Sequence, residues 1–131
     1  MSNPQADPEI AKYKQSCNNI LAISLRIRYA GIMNKFGRTL TGRLRKGVVP
    51  LLKPDEARNE FFIEATRNHL RKSFEKSIGR AEYTFTENEK VKILTIAGQE
   101  HFYYITMDKE TPADEVLKII EDTKKLVSHL P

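Results

Sequence analysis

The apolar spacing of this chain changes period four times, and the order of those changes limits the folds open to it. Ile10, Tyr13, Cys17, Ile20 and Leu21 recur at helical spacing. That predicts an amphipathic helix to about Ile23, with Asp7 as its N-cap and Pro8 as its first residue. From Ile27 the period falls to two. Ile27, Tyr29, Gly31 and Met33 share one strand face, and Arg28, Ala30, Ile32 and Asn34 the other. "NKFG" supplies Gly37 for the positive φ of a short hairpin loop, and "RTLTGRL" reads as the returning strand. Pro50 keeps the apolar connection "VVPLLKP" from being a central strand.

Helical spacing returns at Pro54-Asp55-Glu56, where a proline and two acids suit a helix N-terminus. Phe61, Phe62, Ala65, His69, Leu70, Phe74 and Ile78 make a broad apolar stripe, and Gly79 is a natural stop. A helix of roughly 25 residues, about 37 Å long, is longer than a small domain needs, so its surface is a candidate interface. Period two resumes in "AEYTFT", "VKILTI" and "HFYYITM", joined by turns short enough for an antiparallel meander. Thr111-Pro112-Ala113-Asp114 then reads as a cap. Val116, Ile120, Thr123, Val127 and Leu130 give the inward stripe of a last helix.

The order is helix, hairpin, long helix, meander, helix. It predicts an α+β fold: a five-stranded antiparallel sheet with the long helix on one face and the two terminal helices on the other. At 131 residues the chain fits a single domain, with residues 1–7 as a loose N-terminus and 8–131 as the folded unit. One cysteine, Cys17, offers no internal disulfide and reads as core, which suits a reducing cytoplasm. The N-terminus lacks the basic and apolar regions of a signal peptide. No apolar run nears the roughly 20 residues that span a bilayer, so no membrane association is expected.

Charge is segregated. Between Ile10 and Pro54 there are ten Lys or Arg and no acid, whereas from Asp55 onward 15 acids face 12 bases. Arg38, Arg43, Arg45 and Lys46, on the hairpin and its tail "RLRKG", are therefore candidate contacts for nucleic acid or another anion. The alternative is a solvated patch balanced by acids folded nearby. No Gly-x4-Gly-Lys-Ser/Thr loop is present, which argues against a phosphate cradle. His69, His101 and His129 do not stand at metal-ligand spacing, and His69 on an apolar face reads as a buried, hydrogen-bonded residue. There is no nucleophile elbow or Cys–His signature, so neither an enzyme nor a cofactor is expected. "HFYY" invites a base-stacking reading, but Phe102 and Tyr104 point opposite to Tyr103, so at least one side is core.

The element order, together with the hairpin "NKFGRTL", resembles the roadblock-type domain, the class of dynein light chains and small-GTPase regulators, and more broadly the profilin-like fold. The chain also resembles a group of small archaeal proteins carrying "IRYAGIMNKFGRTL", a likeness that implies no activity. The roadblock resemblance implies a non-enzymatic regulatory module. It would pair through the middle helix and an adjoining edge strand, and would offer the composite surface to a Ras-like GTPase or another protein. Carried onto this chain, the dimer surface is Phe62, Thr66, His69 and Ser73 on the helix, with the strand from Glu82 to Phe85. The basic hairpin is not part of what the resemblance requires. It leaves a nucleic-acid-binding protein as the alternative, and a small-molecule sensor with a pocket on the sheet as a third reading.

Overall fold

The computed structural model describes residues 8–128. Asp7, His129 and Leu130, and the proposed loose segment 1–7, lie outside the described residues. The elements run α1 (Pro8–Leu21), β1 (Ile27–Asn34), β2 (Thr39–Leu44), α2 (Pro54–Arg71), a 3-10 turn (Lys72–Phe74), α3 (Glu75–Ile78), β3 (Thr84–Glu87), β4 (Val91–Ala97), β5 (His101–Asp108) and α4 (Ala113–Val127). The strands form one antiparallel sheet in the order β2-β1-β5-β4-β3. The expected α+β architecture is the one observed.

The sheet has two dry faces, as its period-two strands require. On one, Tyr13, Cys17, Ile20 and Leu21 of α1 and Val116, Ile119 and Ile120 of α4 pack on Ile27, Ala30, Ile32, Leu94, Tyr103, Ile105 and Met107. On the other, Phe61 and Ala65 of α2 cover Met33, Ile93, Phe102 and Tyr104. All three aromatics of "HFYY" are buried, on opposite faces of β5, so none is a stacking platform. Cys17 is core, and burial pushes its thiol up to about 11.

Several local expectations are corrected. The first helix ends at Leu21, and Ile27 packs with Ala30 and Ile32 rather than with Tyr29 and Met33. A register shift between Ile27 and Tyr29 against β5 turns Ile27 to the other face, as a bulge does. The long helix is not continuous: after Arg71 it tightens into the 3-10 turn before α3 and the Gly79 stop, φ 85°. Residues 81–83 stay outside β3, which starts only at Thr84. Thr111 does not cap α4; its hydroxyl donates to the Asp108 carbonyl and Pro112 takes the N-cap position.

Candidate interaction surface

The middle helix is positioned by the hairpin before it. Gly37 sits at φ 88°, and a Cβ added there would lie 2.8 Å from the Phe61 carbonyl. Only glycine satisfies both the turn and this close approach. The Asn34 side chain closes the loop by accepting from the Phe36 and Arg38 amides at 2.9 and 3.0 Å. Tyr29 lies across the facing pair Gly31 and Gly42, so that a side chain at Gly42 would overlap its hydroxyl. The ring in turn stacks on Phe61, 6.5 Å between centroids, and meets Tyr104 edge-on. The loop and this aromatic cluster hold the N-terminal half of α2 against the sheet.

Two carboxylates go down with it. Tyr104 donates a 2.8 Å hydrogen bond to Glu60, and burial with that carboxylate raises the phenol's pKa. Glu64 is buried, with one oxygen lacking a hydrogen-bond partner and the other 3.3 Å from Arg67. Burial raises the Glu64 pKa and Glu60 adds to the rise, while Arg67 and the Thr95 hydroxyl oppose it.

The face of α2 turned away from the sheet is apolar as well. Phe62 is 64% exposed and Leu70 61%, and Ile63, Phe74 and Ile78 are exposed beyond or between them. Phe62, Leu70, Phe74 and Ile78 of the stripe therefore face solvent in the single chain. His69 is exposed rather than buried. Thr66 and Ser73 are exposed too, their hydroxyls turned back to the Phe62 and Leu70 carbonyls. Ile63 belongs with this surface and was missed; the signal was a helix with apolar residues on two sides, more than one core requires.

Phe62, Thr66 and His69 also line a groove of about 580 Å³ between α2, the hairpin loop and the β4–β5 turn, but Ser73 does not. Of the strand residues, Glu82 precedes β3, and Phe85 packs on the terminal-helix core, on the opposite sheet face from α2. What β3 does offer is position. It is the last strand of the sheet, so its outer backbone edge has no strand beside it among the described residues.

The four basic candidates separate. Arg38, Arg43 and Lys46 are exposed, with Arg43 donating to Asn18 at 2.6 Å. Arg45 is a strut: its guanidinium donates to the carbonyls of Leu21 (2.5 Å), Ser24 (2.8 Å) and Ile27 (2.6 Å). It ties the end of α1 to the start of β1 and is not free to grip a phosphate. Much of the remaining basic segment is answered by the acidic half of the chain. Arg26 pairs with Glu115 at 2.9 Å, Arg28 with Asp108 at 3.4 Å and Lys35 with Glu100 at 3.9 Å.

No family model and no curated protein matches the chain in sequence. Solved structures do match in fold. The gliding protein MglB from Thermus thermophilus superposes with a TM-score of 0.73 at 13% identity, over 94% of this chain and 90% of that one. An MglB in a tetrameric arrangement gives 0.67 at 15% identity, over 92% and 93%. A roadblock/LC7 domain from Streptomyces avermitilis gives 0.58 at 11% identity, over 87% and 96%. The architecture is that of roadblock-type and profilin-like folds. Among the described residues no helix is long and apolar enough to cross a membrane.

Proposed function

We propose that this protein is a non-enzymatic, homodimeric interaction module of the roadblock type, which uses the α2 face and the β3 edge to pair and to engage a protein partner. The observation that carries this reading is the second apolar face of α2, with Phe62, Ile63 and Leu70 turned to solvent. An exposed apolar helix face of this kind marks an interaction site. The solved MglB in a tetrameric arrangement supports self-association as the mode. A Ras-like GTPase is the partner class that the roadblock resemblance implies. The reading takes residues 8–131 as one domain, places it in the cytoplasm, and keeps the kinship with the small archaeal proteins that share the hairpin sequence.

Light scattering coupled to size exclusion tests the pairing. The wild-type chain is expected at twice its 15.1 kDa mass. Thr66→Glu, a charge set on the exposed face, is expected at the mass of one chain with unchanged circular dichroism. A Thr66→Glu variant that still runs as a dimer counts against this face.

A further inference from the structure

The groove beside α2 has a chemistry of its own. Its walls are the exposed rings of Phe36 and Phe62, its floor is Ala65 and Phe102, and apolar surface predominates. Around it stand four cations, Lys35, Arg71, Lys72 and Arg80, against two carboxylates, Glu75 and Glu100. Lys35 answers Glu100 at 3.9 Å, and Arg80 donates to the Ala97 carbonyl at 3.0 Å. Arg71 and Lys72, both exposed, lie where α2 gives way to the 3-10 turn. Both line the groove, as does the carboxylate of Glu75.

We propose that this groove binds an acidic peptide segment of a partner protein, one that seats an aromatic or leucine side chain between Phe36 and Phe62 and sets its carboxylates against Arg71 and Lys72. This inference rests on the proposed role as an interaction module and names the partner's chemistry. Charge complementarity selects the occupant: a cationic rim around an apolar cleft suits apolar anchors flanked by acids. Nucleic acid fits less well, because a continuous phosphate backbone would run past Glu75 and Glu100. The 3-10 turn has a part in the design. Its first residue, Lys72, lines the groove together with Arg71 and Phe62 of α2. The groove shares Phe62, Thr66 and His69 with the proposed pairing surface, so a bound peptide and a second copy compete for this face.

The test is fluorescence anisotropy with a fluorescein-labelled 12-residue peptide of Glu and Asp carrying Phe and Leu anchors. Two further probes are the same peptide with every acid changed to Lys, and a labelled 12-nucleotide single-stranded DNA. The acidic peptide is expected to bind at least tenfold more tightly than the lysine version at about 50 mM salt, and to weaken as salt rises. Arg71→Glu/Lys72→Glu and Phe36→Ala, all at exposed positions, are each expected to lower its affinity tenfold or more while leaving the circular dichroism unchanged. Equal binding of the two peptides, preference for DNA, indifference to the Arg71→Glu/Lys72→Glu change, or no binding overturns the proposal. Molar mass measured on the same samples reads pairing separately: a monomer without peptide that binds it refutes the dimer alone, and a dimer that neither binds the peptide nor loses mass as peptide is added refutes the groove alone.

Discussion

Replacing Arg45 with alanine separates a structural arginine from a ligand-binding one. The guanidinium donates three hydrogen bonds to main-chain carbonyls at the α1–β1 junction. Hydrogen bonds involving a charged group contribute roughly 1.5–3 kcal/mol each. The three share one side chain and are not additive, and water reaches part of the site, so Arg45→Ala is expected to cost about 2–4 kcal/mol. For a domain of this size that lowers Tm by on the order of 10 °C. Lys46→Ala next door, on an exposed side chain, is expected to stay within about 0.5 kcal/mol of wild type. Arg45→Lys recovers less than half of the loss, because one ammonium cannot reproduce the planar fork that spans three carbonyls. Urea unfolding of the four proteins gives the ranking. An Arg45→Ala midpoint indistinguishable from that of Lys46→Ala would refute the strut. A loss of anion binding caused by Arg45→Ala would then report lost structure, so Arg43→Ala/Lys46→Ala is the clean probe of the hairpin.

Gly42→Ala is expected to destabilise by about 1–3 kcal/mol, because its Cβ overlaps the Tyr29 hydroxyl. In a Tyr29→Ala background the same change should cost nothing or stabilise by up to about 1 kcal/mol, since alanine loses less entropy in a strand; an equal cost in both backgrounds excludes the ring as the cause. His101 meets Tyr13 and Tyr103 edge-on, and burial holds its pKa below the usual histidine range, with Glu9 and Glu100 pulling the other way. The unfolded chain therefore takes up this proton first, and stability falls as pH drops from above the ordinary value near 6.5 toward the folded value. Urea midpoints from pH 5 to 8 should show a smaller fall for His101→Gln than for wild type, and parallel curves would count against it.

The layers were legible in the sequence because each element's period matched the face it had to bury. Cys17, Ile20 and Ile120 could be assigned to the core from spacing alone, and Gly37 and Gly79 marked a loop and a stop that the backbone confirms. What spacing could not reveal depended on partners distant in sequence. Arg45 looked like Lys46 until its carbonyls at Leu21, Ser24 and Ile27 came into reach. The single-residue shift against β5 that turns Ile27 leaves no mark on its own strand. Spacing alone could not divide the α2 stripe, because an apolar residue on a helix does not say which of two surfaces will claim it: Phe61 and Ala65 went to the core and Leu70 to solvent. Phe85, assigned to the pairing surface by resemblance, follows its strand parity to the other core instead.

The two margins of the sheet are unlike. β2 carries Arg43, a register shift opposite Ile32 and Met33, and α1 packed close by through Asn18. β3 is a plain four-residue run, Thr84–Glu87, without a bulge. A copy that joined through β3 would use up the same margin on its neighbour and leave only the guarded β2 margins outside. Strand addition would then end after two chains, giving a closed pair rather than a growing fibre.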